Sequence, residues 1–165
     1  FAGGSIGSDF SYSYFKRLVK NEFDANIIFV CGKNEKLKIK CENFIELNRY
    51  KNVKVLGFSN EVNNLLNISD FVITKPGGIS ITECIEMEKP MILIPGNGGQ
   101  EIYNALFVKL SGYGTIAKTP DKLVKEVNLL LSNENLLNKL KCKLKKHEKN
   151  NSVNKITKLI NTLLK

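Results

Sequence analysis

The 165-residue chain contains a single histidine, and its four cysteines form no Cys-x-x-Cys pair and have no histidine at ligand spacing. Neither a zinc site nor a thiol redox motif is therefore signalled, and unpaired cysteines suit a reducing cytoplasm. No apolar run approaches the roughly 18 residues of a membrane-spanning helix, which argues against an integral membrane protein. The chain opens on Phe1-Ala2-Gly3-Gly4-Ser5, with neither an initiator Met nor the charged-then-apolar layout of a signal peptide, and reads as a fragment of something longer. Acidic residues are also scarce: 16 Asp and Glu face 25 Lys and Arg, a formal net charge of +9. Much of that excess lies late, at Lys139, Lys141, Lys143, Lys145, Lys146 and Lys149. Such a run suits peripheral contact with an anionic membrane or a phosphorylated ligand, or it is a solvated face. It has no interleaved aromatics and no RNA-binding signature, so no nucleic acid is expected as a partner.

What is present is an ordinary globular composition, 42% hydrophobic and 25% charged, on a chain long enough to bury about 70% of its unfolded surface in one domain. Short apolar runs at 26–31, 53–56, 70–74, 91–94 and 115–117 are mostly rich in Ile, Val or Phe and are closed by Gly, Pro or a polar residue, as buried parallel strands are. Between them, helical periodicity predicts helices at 12–21, 35–47, 61–67, 80–88, 100–111 and 122–131. This alternation predicts an α/β fold, a Rossmann-like doubly wound parallel sheet over 1–165 with helices on both faces. The strand-free last third, helical at 134–149 and 153–164, is expected to pack on the sheet or to reach back to a partner outside the chain.

In an open parallel sheet, ligands bind outside the carboxyl ends of the strands, and here those places are rich in glycine. The first such turn, Gly3-Gly4-Ser5-Ile6-Gly7, reads as the end of a truncated strand entering a helix. Its glycines do not spell GxGxxG, and no acidic residue follows at about 20 residues, which disfavours a plain NAD-binding domain. Cys31-Gly32-Lys33-Asn34 and Gly57-Phe58-Ser59-Asn60 close the next two strands. Both are placed to border a base, although turn chemistry alone explains Gly32, Asn34 and Gly57.

The stretch from Asp70 to Cys84 is the most informative. A strand runs into Lys75-Pro76-Gly77-Gly78, and a helix follows with its first free N–H groups, at Ile79 and Ser80, facing the strand ends. That is the geometry of a diphosphate cradle. Glu83 lies one turn on, where a carboxylate accepts both hydroxyls of a ribose; alternatively Ser80-Ile81-Thr82-Glu83 is a capping box with Glu83 folded back on the helix start. Lys75 either balances phosphate charge or is exposed beside the turn. A second glycine-rich loop, Pro95-Gly96-Asn97-Gly98-Gly99, enters a helix whose first turns carry Gln100, Glu101 and Asn104, suited either to sugar hydroxyls or to capping.

The ordered series Gly-Gly-Ser-x-Gly, Cys-Gly-Lys-Asn, Val-x-Gly-Phe, Thr-Lys-Pro-Gly-Gly-x-x-x-x-Glu and Gly-Gln-Glu-x-x-Asn-Ala resembles the C-terminal domain of glycosyltransferase family 28. Within it the chain resembles the processive diacylglycerol glucosyltransferases and the monogalactosyldiacylglycerol synthases. The resemblance implies the donor half of a GT-B enzyme, two Rossmann-like domains with a cleft between. It implies a UDP-sugar as donor substrate, with no cofactor and no metal. On matching positions it places uracil at the backbone near Phe58, the diphosphate at Gly78, Ile79 and Ser80 with Ser5 approaching from the opposite lobe edge, the ribose at Glu83, and the sugar or its phosphate at Gln100, Glu101 and Asn104. It implies transfer with inversion to a lipid acceptor such as diacylglycerol, at the inner face of the cell membrane, the general base lying in an N-terminal domain outside these residues. No catalytic residue is therefore expected here, and His147 is read as a surface residue of the Lys-rich tail. Two alternatives share the donor cleft: a lipid-linked peptidoglycan N-acetylglucosaminyltransferase, and a standalone nucleotide-sugar-binding subunit that recruits a separate acceptor subunit. The loop at 95–99 is more glycine-rich than its counterpart in the family, so the resemblance does not extend to the choice of sugar.

Overall fold

The computed structural model describes residues 9–96, 98–147 and 152–164. In chain order the elements are α1 (Asp9–Val19), β1 (Ile27–Val30), α2 (Glu35–Asn48), β2 (Val53–Leu56), α3 (Val62–Asn67), β3 (Val72–Thr74), α4 (Gly78–Glu86), β4 (Met91–Leu93), α5 (Gln100–Ser111), β5 (Gly114–Ile116), α6 (Pro120–Ser132), α7 (Glu134–Lys145) and α8 (Ser152–Leu163). Among the described residues β1 pairs with β2, and β3, β4 and β5 pair in that order, every pairing parallel.

The central apolar runs become strands because both of their faces are covered. In β3 and β4 every residue is buried. Ile73, Ile92 and Ile94 point to one side, into a core shared with Tyr14 and Leu18 of α1 and Leu123, Val124 and Val127 of α6. Val72, Met91 and Leu93 point to the other, against Ile81, Cys84 and Ile85 of α4 and Val108 of α5. Two-residue alternation along a strand thus builds two cores, and the Rossmann-like doubly wound α/β architecture follows directly. A third cluster joins α1 and α2 to β1 and β2 around Phe15 and Phe29, whose rings stack at 4.5 Å.

Most element ends lie within two residues of the positions the periodicity predicts. The largest departures are the start of α1, at Asp9 rather than Tyr12, and the end of α7, at Lys145 rather than Lys149. α6 begins at Pro120, where proline's fixed φ suits the first helical position, and Thr119 caps it by accepting from the Lys122 N–H at 3.2 Å. The last third divides. α7 packs on the sheet through Leu140 and Leu144, whereas α8 exposes Ile156, Leu159, Ile160, Leu163 and Leu164. His147 is not the free surface residue that its Lys-rich setting suggests. It is half-buried, its Nδ1 lies 2.8 Å from the Tyr113 hydroxyl, and the two rings meet edge to face. Only the return of α7 beside β5 creates that contact. No helix among the described residues is long and apolar enough to cross a membrane.

Candidate functional site

Among the described residues, strand-to-helix turns open at the carboxyl edge of the sheet after all five strands, and those after β1, β2, β3 and β4 carry the predicted site residues. After β1, Gly32 takes φ 60°, and Asn34 caps α2 by accepting from the Leu37 N–H at 2.9 Å, so turn chemistry does account for both residues. After β2, Phe58 stands 56% exposed, and the Lys33 ammonium lies 5.4 Å from its ring centroid. This cation–π contact joins the two turns and gives the exposed ring a fixed neighbour.

The turn after β3 settles an ambiguity that the local sequence leaves open. α4 begins at Gly78, two residues earlier than predicted, with Gly77 as its N-cap and no side-chain cap. The Ile81 N–H bonds to the Gly77 carbonyl at 3.0 Å, so the N–H groups of Gly78, Ile79 and Ser80 have no partner within the helix. Ser80 is inside the helix rather than at its cap, and the predicted capping box does not form. Glu83 is consequently not folded back on the helix start. Its half-buried carboxylate makes no hydrogen bond or ion pair among the described residues.

Space at this helix start points the same way. A Cβ added to Gly77 or Gly78 would meet nothing within 4 Å, and Gly77 has an ordinary φ of −69°. Neither glycine is demanded by backbone conformation or internal packing, so their bareness leaves the free N–H groups open to an incoming anion. Lys75 is half-buried and unpaired among the described residues, which makes it neither a plainly exposed side chain nor a member of an ion pair. Beneath the turn, the Thr74 hydroxyl is buried without a hydrogen-bond partner. Next to Glu83, burial pushes the Cys84 thiol up to about 12, with the Glu83 carboxylate adding to the rise. It stays a neutral thiol near pH 7 and is no nucleophile.

The turn after β4 is built differently. Gly98 (φ 95°) and Gly99 (φ 57°) adopt backbone conformations that side chains rarely tolerate. Gly96 is bare because Glu101 folds back over it and a side chain there would strike the carboxylate. Of the residues predicted to share this helix start, Gln100 is exposed while Glu101 and Asn104 are half-buried. Asn104 Nδ2 donates to the Pro76 carbonyl at 2.9 Å, so α5 is tied to the turn in front of α4. No local pattern foretells that bond, which spans 28 positions. It leaves Oδ1 of Asn104 to accept from a ligand. Asn104→Ala is expected to cost about 1 kcal/mol of stability, measured by urea titration; an unchanged midpoint would show that the bond does not hold the two turns.

Gly78, Ile79, Ser80 and Glu83 therefore lie together on α4, and Asn104 joins them to the start of α5 with Gln100 and Glu101. Phe58 stands after β2, which pairs with β1, and its neighbour is Lys33 of the turn after β1. Ser5, with the whole glycine-rich turn at 1–8, lies outside the described residues, as does Asn97. A hollow of about 310 Å³ runs along α4 and α5 past Gly78, Thr82, Asn104 and His147. A larger one, about 500 Å³, sits at the amino ends of β1 and β3 between Phe23, Ile27, Phe71 and Val127. That end of a parallel sheet is not where ligands bind, and the smaller hollow is the one that adjoins the open helix start.

Known proteins match this chain in sequence and in fold. The sequence profile described as glycosyltransferase family 28 C-terminal domain covers residues 1–161. The chain is 32% identical over 164 residues to the processive diacylglycerol beta-glucosyltransferase of Staphylococcus haemolyticus (strain JCSC1435), covering 98% of this chain and 41% of that protein. The protein of the same description from Staphylococcus aureus (strain Newman) is 39% identical over 116 residues, 70% of this chain and 29% of that protein. The chain thus spans about two fifths or less of these relatives' length. In fold it is similar to MurG of Acinetobacter baumannii, with a TM-score of 0.80 at 20% identity over 97% of this chain and 48% of that one.

Proposed function

The chain belongs to glycosyltransferase family 28, whose C-terminal domain it matches, and on that premise we propose that residues 1–165 form the nucleotide-sugar-binding half of an inverting transferase. The observation that carries this reading is the bare, uncapped start of α4 with an unspent carboxylate one turn behind it. A diphosphate takes the N–H groups of Gly78, Ile79 and Ser80, where the helix dipole favours negative charge. Glu83 accepts the two ribose hydroxyls. The backbone beside Phe58 meets the uracil, and Gln100, Glu101 and the free Oδ1 of Asn104 face the sugar or its phosphate.

In the transfer step an acceptor hydroxyl attacks the anomeric carbon as the bond to the diphosphate breaks, and a base on the remainder of the polypeptide takes the hydroxyl proton. UDP leaves with added negative charge, which the helix start and the unpaired Lys75 stabilise. The acceptor we propose is a membrane lipid such as diacylglycerol, in keeping with the description of the S. haemolyticus relative, with the protein held peripherally on the inner face of the cell membrane. The test is calorimetric titration with UDP, ADP and NAD. Saturable binding of UDP, at least about tenfold tighter than of the other two, is expected, since base readout of this kind is worth more than about 1.4 kcal/mol. Equal binding of ADP, or no binding of UDP, refutes the donor-half reading.

A further inference from the structure

The outward face of α5 is apolar along its whole length. Ile102, Tyr103, Leu106, Phe107 and Leu110 are all exposed, Tyr103 and Leu110 at 75%. At about 100° per residue they fall on the side opposite Ala105 and Val108, which pack into the core. A surface helix ordinarily wets this stripe with polar side chains; scattered single apolar residues are normal, but a contiguous row is not.

Two lysines border the row, Lys109 on α5 itself and Lys143 at its end. At the end of α5, the Lys143 side chain lies against Gly112, and the His147–Tyr113 contact brings in the end of α7. Lys139, Lys143 and Lys146, spaced four and three apart, form one exposed line along α7, and Lys109 is exposed at the margin of α5 itself. Apolar side chains flanked by ammonium groups match a bilayer with anionic head groups: the former reach the acyl boundary and the latter meet phosphate. The stripe starts at Ile102, two residues beyond Gln100, the first residue of the candidate site on this helix.

We propose that the outer face of α5, with Lys109 at its margin and the α7 lysine line that meets its end at Lys143, is the surface that seats the protein on an anionic bilayer, so that the donor site opens at the lipid surface. This rests on the lipid-acceptor reading above. The seat itself is measured by co-sedimentation with vesicles of phosphatidylglycerol and phosphatidylcholine, against phosphatidylcholine alone. L106S/L110S is expected to lower partitioning onto the anionic vesicles by at least about tenfold. K139Q/K143Q/K146Q should do the same at low salt and abolish the salt dependence. L159S/L163S, on the exposed stripe of α8, should bind as wild type. UDP titration of each variant reports the fold. Wild-type partitioning by L106S/L110S, loss only in the α8 variant, binding indifferent to anionic lipid, or a wild-type dimer that L106S/L110S dissociates would each overturn the proposal. Vesicle binding without UDP affinity supports the seat while sinking the donor-half reading; UDP affinity without vesicle binding sinks the seat alone.

Discussion

Replacing Glu83 by alanine is expected to weaken UDP binding by about a hundredfold and to leave the melting transition nearly unmoved. The two halves of this expectation have separate physical grounds. Hydrogen bonds to a charged group contribute about 1.5–3 kcal/mol each, and a carboxylate gripping a ribose diol makes two; even imperfect geometry then exceeds the roughly 2.8 kcal/mol of a hundredfold change. The fold loses little, because the carboxylate has no partner among the described residues and does not cap its helix. A side chain of that kind alters stability by about 0.5 kcal/mol or less. The sharper measurement uses 2′-deoxy-UDP. Wild type should discriminate against it, and Glu83→Ala should not. Discrimination that survives the substitution would place the ribose elsewhere. A large fall in melting temperature would instead give Glu83 a structural role that the geometry does not show.

Two glycine-to-alanine substitutions should move the protein in opposite directions. At Gly78 a methyl group meets nothing and the helix gains a better former, so stability should rise by about 0.5–1 kcal/mol, while UDP affinity falls at least about tenfold as the methyl occupies the anion's approach. At Gly114, paired with Met91 in the β4–β5 ladder, an added Cβ would run into the Met91 backbone carbonyl, and backbone cannot yield as a side-chain tip can. There about 3 kcal/mol of destabilisation is expected, read by denaturant titration. Should Gly78→Ala bind UDP as well as wild type, the bare helix start is not a cradle and the main support for the donor half disappears.

How far the site is legible without coordinates differs from residue to residue. The five strands could be read because each is a short, mostly apolar run closed by Gly, Pro or a polar residue, a signal that does not depend on distant partners. The start of α4 could not. Ser80 is a good cap and Glu83 stands three residues on, so local preference points to a capping box. Burial of Ile81, Cys84 and Ile85, together with the Asn104–Pro76 bond, carries the helix back to Gly78 instead. His147 is misread for the same reason: its partner Tyr113 is 34 positions away. The glycines divide in a way the string of letters hides, since Gly98 and Gly99 serve backbone conformation, Gly96 makes room for Glu101, and Gly77 and Gly78 serve neither.

By itself, then, the order of apolar runs and glycine turns determined the class of fold, the edge at which a ligand would bind, and membership of a family whose profile covers residues 1–161, because periodicity and turn chemistry are local properties. Tertiary structure alone decided that Glu83 is free rather than spent on its own helix, that Asn104 braces the turn in front of α4, and that Lys143 of α7 lies against Gly112 at the end of α5. Each of these depends on which distant segments the packed core brings together, and no local preference encodes that.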